Sequence, residues 1–244
     1  MSEPADIFVP AKPYDDAKQK GRFGRFSLEG YRKQWPRVGG VLAMALGGAT
    51  ALAAGRMSKP QTLSAVNFGA LLVHQYEEYQ DPGWFPGQFN HGLFHSDSPR
   101  NYVLNTNSAL CVNTAFAYPY YIAPILFPKV RWLGLSPVLF GMMQAVGHGA
   151  IFPRLAGDKY SPGFLASALL HVPIGITYIK AVQADRRLAR AEWAAAIVYT
   201  VIFAAVGVAG PNVVMRDKNS PYAFTAAQMG HHDTQDPAGD TEEA

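Results

Sequence analysis

Apolar blocks of about 17 to 20 residues, separated by short polar connectors, fill the middle of the chain, and that length matches what an α-helix needs to cross a ~30 Å hydrocarbon core. Six such blocks run Val38 to Ala54, Thr62 to Tyr79, Ser108 to Phe127, Leu133 to Phe152, Gly163 to Ile179 and Trp193 to Gly210. The pattern predicts an all-α fold, a polytopic transmembrane bundle of five to six helices, because in lipid every backbone polar group must be satisfied within its own segment. It also divides the chain into a basic and aromatic segment over 1–37, a membrane domain over 38–211 and a polar tail over 212–244 that reads as disordered.

The second block departs from this pattern. It ends in His74-Gln75-Tyr76-Glu77-Glu78 and also carries Asn67, so it either spans or re-enters the membrane. At about 100° per residue, His74 and Glu78 stack one turn apart on one helix face with Glu77 beside them. Ionisable side chains are costly inside a membrane and usually mark a functional site.

Composition sharpens the picture. Only 16% of the 244 residues are charged against a hydrophobic share of 49%, and the mean hydropathy of −0.01 averages polar ends with an apolar middle. The net charge is +3. Lys12, Lys18, Lys20, Arg22, Arg25, Arg32, Lys33 and Arg37 interleave with Phe23, Phe26, Tyr31 and Trp35 before the first block. That mix suits a cytoplasmic-side segment on anionic headgroups, or a disordered basic tail, and not nucleic-acid binding. Either reading puts the N-terminus inside the cell, although the basic 180–190 loop keeps the positive-inside rule from deciding strongly. The single cysteine, Cys111, excludes a disulfide framework and a cysteine-rich zinc site. The first thirty residues lack the early apolar core of a secretory signal.

Further candidates lie along the chain. Asp81 to Asn90 contains two Pro-Gly pairs and reads as an interfacial loop able to rim the site. His91 and His95 have chelate spacing, but their Gly- and Ser-rich setting favours two exposed loop histidines. The third block carries Asn113 and the run Tyr118-Pro119-Tyr120-Tyr121, whose proline can free carbonyls and shape a cavity. His148 sits alone in the fourth block and His171 lies two residues before Pro173 in the fifth, each a ligand or a satisfied core histidine. The sixth block reads as scaffold, and His231 and His232 are set outside the site with the tail.

These residues resemble a known family of bacterial integral membrane proteins defined by an H-x-x-E-E motif. The resemblance rests on His74 to Tyr79, the Pro82-Gly83-Trp84-Phe85 and Phe89-Asn90 turn, Gln144 to His148, and Tyr160-Ser161-Pro162-Gly163 leading to Pro173-Ile174-Gly175. It covers about residues 62 to 180 and implies a bacterial plasma-membrane protein with its site at the motif. His91, His95 and His171 are not positions of that pattern.

His74, Glu78 and His148 form a two-His, one-carboxylate set of the kind that holds catalytic zinc or non-haem iron. Two adjacent carboxylates in apolar surroundings repel when both are ionised, and a divalent cation relieves this. The expectation is a membrane-embedded, metal-dependent hydrolase acting on a lipid-like or apolar small molecule. Glu77 serves as general base beside Glu78 and His74, and Asn90, Asn113, His171, His91 and His95 are further candidates for the site. The alternatives are a non-haem iron oxidoreductase, or a non-catalytic proton-coupled or metal transporter or membrane-complex subunit. No internal repeat and no P-loop accompany the motif. The oligomeric state is open.

Overall fold

The computed structural model describes residues 28–184 and 186–234. Six long helical rods make up most of it: α1 (Leu28–Ala53), α2 (Lys59–Tyr79), α4 (Thr106–Leu126), α5 (Arg131–Ala156), α6 (Phe164–Val182) and α7 (Arg190–Val214). Between α2 and α4 lies α3, covering residues 85–93, and a last turn, α8, spans Ala226–Met229. No strand occurs among the described residues. Five rods, all but α2, are long and apolar enough to cross a membrane, as expected of a membrane protein. Many of their large apolar side chains face outward, including Leu155, Leu169, Val201 and Val206.

α2 is less apolar because it carries polar residues on its buried side, beside the buried Phe68, Leu71 and Leu72. Its polar residues Asn67, His74, Gln75, Glu77 and Glu78 are buried, while Val66, Val73 and Tyr76 are exposed. It is nevertheless one continuous helix of 21 residues. Ser58 accepts from the Gln61 amide and Pro60 sits in the first turn, a preorganised helix start. At that end the Gln61 side chain donates to the Ile125 carbonyl at the C-terminus of α4 (2.8 Å). At the other end Tyr79 packs on Trp35 of α1 with ring centroids 5.0 Å apart. α1 and α2 therefore run antiparallel over their whole length.

The connections make the bundle up-and-down. The start of α1, the end of α2, the start of α4, the end of α5 and the start of α6 share one end, where Arg32 donates to Thr106 (2.5 Å) and Asn105, which caps α4, donates to the Met215 carbonyl just past α7 (2.9 Å). Two boundaries differ from the sequence expectation. α1 begins at Leu28, with Pro36 inside it, so residues 28–37 belong to the helix; the rest of the basic segment lies outside the described residues.

The polar tail is the second difference. Residues 215–234 pack across the end of the bundle instead of hanging free: Phe224, Met229 and His232 are buried. The Thr225 side chain caps the turn of α8, and the Phe224 amide donates to the Arg100 carbonyl (2.6 Å). A low-hydropathy segment is ordered here because Tyr79, Phe85 and Leu104 offer it one apolar surface. Residues 235–244 lie outside the described residues.

Gly87 permits this docking. A Cβ there would meet the Met229 backbone, with Met229 Cα only 2.8 Å away. Because backbone cannot swing aside as a side chain does, Gly87→Ala is expected to destabilise the protein by about 1–3 kcal/mol and to expose the tail. Thermal unfolding in detergent and proteolysis at 215–234 check this; an unchanged melting temperature with an unchanged cleavage pattern contradicts the docking.

Candidate metal centre

Three rods carry the site, and two of them do so through locally widened turns. His148 lies in the π-helical stretch Gly147–Ile151 of α5, and His171 in the π-helical stretch Ser167–His171 of α6. In each, the backbone bond closing the stretch spans five residues, from Phe152 to Gly147 and from Val172 to Ser167. Each stretch ends two residues before a proline, Pro153 or Pro173. Proline supplies no N–H and its ring crowds the carbonyl four residues back, so the preceding turn opens. The opened turn re-aims the histidine it contains.

α2 meets these turns with its polar face. Glu78 Oε1 lies 3.4 Å from His74 Nε2 and 3.3 Å from His148 Nε2, and one ligand atom from each of the three residues falls within 4.8 Å of the others. All three are buried, His74 at 2% exposure and His148 at 1%. Phe85 and Phe152 flank the His148 ring, with centroids 5.0 and 4.9 Å away.

The outer nitrogens are fixed by serines. Ser167 Oγ donates to the Gly163 carbonyl (2.6 Å) and lies 3.1 Å from His74 Nδ1. With its proton committed, the hydroxyl accepts from Nδ1–H, which leaves the lone pair of His74 on Nε2. That nitrogen has no hydrogen-bond partner, although Glu78 faces it. Ser161 Oγ lies 2.9 Å from His148 Nδ1. Gly163, at φ 103°, comes so close that a Cβ would lie 2.8 Å from His74 Cε1 and 2.9 Å from His148 Cε1, so glycine is required there on both grounds.

Glu77 is occupied differently from the general base expected of it. Its Oε1 accepts from the Tyr160 hydroxyl and from the Leu165 amide (3.1 Å), and its Oε2 from the Ala166 amide (2.8 Å). Those amides belong to the first turn of α6, where donors are otherwise unpaired and the helix dipole favours an anion. Glu77 thus ties α2 to the start of α6, and the Tyr160 hydroxyl, in the loop, is held above its ordinary pKa by burial and by this carboxylate.

The remaining candidates separate. His171 is 1% exposed, its ring centroid 5.8 Å from that of His74; Nδ1 meets Asn67 Oδ1 at 2.9 Å, and Nε2 has no partner. Asn113 receives the Gln75 side chain and donates to the Ala109 carbonyl (2.9 Å) and the Tyr79 hydroxyl (3.4 Å). Asn90 is spent on the following loop, bonding the Pro99 and Leu104 carbonyls and the Leu104 amide. His91 and His95 form no pair: His95 is exposed at φ 49°, whereas the His91 ring approaches His232 at 5.8 Å.

His231 and His232, set aside with the tail in the sequence, meet Asp158 in a second cluster on the loop between α5 and α6. No sequence periodicity could bring them there, since nothing local links positions 158 and 231.

Removing the Glu77 carboxylate leaves three donors without their acceptor, one buried and two part-buried, each worth about 1–3 kcal/mol where water cannot replace the lost partner. Glu77→Ala is therefore expected to lower stability by about 3 kcal/mol or more, read as a fall in melting temperature, with Glu77→Gln intermediate. Variants matching the wild type would show that this anchor does not hold α6.

No curated protein and no solved structure matches the chain. A family model described as "protein of unknown function with HXXEE motif" matches residues 65–178, the stretch that holds His74, Glu77, Glu78, His148 and His171. Over that stretch the chain is similar to the HXXEE-motif family, as its sequence resemblance led us to expect.

Proposed function

We propose that the protein is a membrane-embedded, metal-dependent enzyme, most simply a hydrolase of a lipid-like or apolar substrate, with His74, Glu78 and His148 holding one zinc or iron ion. One observation carries the reading: two imidazole nitrogens and a carboxylate oxygen converge in a buried place, with Glu78 Oε1 3.4 and 3.3 Å from His74 Nε2 and His148 Nε2, a donor set that a divalent cation would satisfy. Ligands about 2.0–2.2 Å from a tetrahedral zinc lie roughly 3.4 Å from one another, and the separations from Glu78 to the two histidines are 3.4 and 3.3 Å. The serine bonds at Nδ1 are the outer-sphere contacts that fix imidazole ligands in metal sites.

A divalent ion held by His74, Glu78 and His148 would supply Lewis acidity and would lower the pKa of a bound water toward about 7. With both oxygens of Glu77 engaged, it serves as an anchor in this reading. His171 is better placed for the proton: Asn67 fixes hydrogen on Nδ1, so Nε2 keeps a buried, unpaired lone pair beside His74. For the substrate, a cavity of about 490 Å³ between α1, α2 and α6 supports an apolar molecule, a size within the usual ligand range. Leu46, Ala65, Gly69, Val73 and Leu170 line it, and none of His74, Glu78 and His148 does.

The same donor set accommodates non-haem iron, which makes oxidation of an apolar substrate the second reading. In this reading the protein sits in a bacterial plasma membrane with the Leu28 end of α1 cytoplasmic, which the family resemblance and the basic residues before that end support.

Elemental analysis of detergent-purified protein tests the ligand set. Glu78→Ala is expected to lose one equivalent of metal that Glu77→Gln retains, and Ser167→Ala to bind it about 10–100-fold more weakly. Equal metal in wild type and Glu78→Ala overturns the assignment.

A further inference from the structure

Outside the motif site, the described residues hold one more group of metal-ligating side chains in mutual reach: Asp158, His231 and His232. His231 Nε2 lies 2.8 Å from Asp158 Oδ1 and His232 Nε2 2.9 Å from Asp158 Oδ2, so each imidazole addresses its own oxygen. The two rings sit 4.1 Å apart. Gln88 holds the carboxylate from behind, donating 2.7 Å to Asp158 Oδ2 and 2.9 Å to the Tyr160 carbonyl. His91 completes the surroundings: its Nδ1 is buried without a partner, and its ring is 5.8 Å from that of His232.

We propose that Asp158, His231 and His232 form a second metal site, a zinc-class structural clamp that locks the C-terminal segment onto the loop between α5 and α6, with His91 available as a fourth ligand. Imidazole nitrogen and carboxylate oxygen are donors that zinc accepts, and His91 as a fourth ligand would close the shell that a structural site needs. Graded exposure favours loading from water: His231 is exposed, Asp158 intermediate and His232 buried.

The loop gives the clamp its meaning. Within six residues it carries Asp158 for the clamp, Tyr160 on Glu77, Ser161 on His148 and the Gly163 carbonyl on Ser167. An ion at Asp158 therefore braces the backbone that positions the motif side chains. Trp84 closes the outer side, its ring 5.0 Å from His231 and 6.2 Å from Tyr160.

The experiment counts zinc in untagged, detergent-purified protein dialysed against micromolar zinc, comparing wild type, His231→Ala, His232→Gln and His148→Ala, with His95→Ala as an exposed control. Expected are about two equivalents in wild type and in His95→Ala, and one in each of the other variants. Chelation of the clamp, or His231→Ala, should also speed proteolysis of residues 215–234. His231 is exposed, so its removal leaves folding intact, and a melting curve confirms this. Zinc content in His231→Ala and His232→Gln equal to wild type, with tail protection unchanged by chelator, overturns the clamp. One equivalent in wild type that persists in His148→Ala and vanishes in His231→Ala supports the clamp and removes the motif site instead, so the two proposals fail separately.

Discussion

A buried carboxylate among apolar helices has to be neutralised where it stands, and the two adjacent glutamates of α2 meet that demand in different ways. Glu77 finds neutral donors, the Tyr160 hydroxyl and two amides at the start of α6, where the helix dipole adds its favourable potential. Glu78 finds two imidazoles, His74 and His148, whose outer nitrogens lie beside serines. The first solution is architectural and fixes α6 against α2. The second depends on it, because α6 carries Ser167 and His171, and the loop before α6 carries Ser161. The surroundings of Glu78 are thus held in place by the contacts of Glu77.

The same dependence explains the widened turns. In a membrane bundle the freed carbonyls of a proline-containing helix have to be re-satisfied locally, and a π-turn does so while rotating the residues before it. α4 and α7 show the feature as well, at Cys111–Phe116 and Phe203–Ala209; the second ends two residues before Pro211. In α5 and α6 the turn coincides with a histidine. Asn113 occupies the corresponding stretch of α4 and meets Gln75 of α2. Prolines therefore accompany three of these four widened turns, and two of those turns carry His148 and His171.

Much of this was legible in the sequence. The long blocks and their order follow from hydropathy alone, and the pairing of His74 with Glu78 from helical spacing. His148 was found because an ionisable residue in an apolar helix is anomalous. What hydropathy could not convey was direction. Glu77 and Glu78 are neighbours in sequence, and only the packed position of α6 makes one an anchor and the other a ligand candidate. The Pro153 and Pro173 spacings were visible signals for the widened turns, but their effect depends on the whole helix. The tail misled because low hydropathy signals disorder only when no apolar surface awaits the segment, and the ring of Tyr79, Phe85 and Leu104 provides one.

The central claim is that His74, Glu78 and His148 bind one ion together. X-ray absorption at the metal edge, on metal-loaded His231→Ala protein so that the tail does not contribute, tests it most directly. The account predicts a first shell of nitrogen and oxygen at about 2.0–2.2 Å with scattering from two imidazoles, falling to one imidazole or to no bound metal in the added His148→Ala variant. A shell without imidazole, or the same two-imidazole signal after His148 is removed, contradicts it.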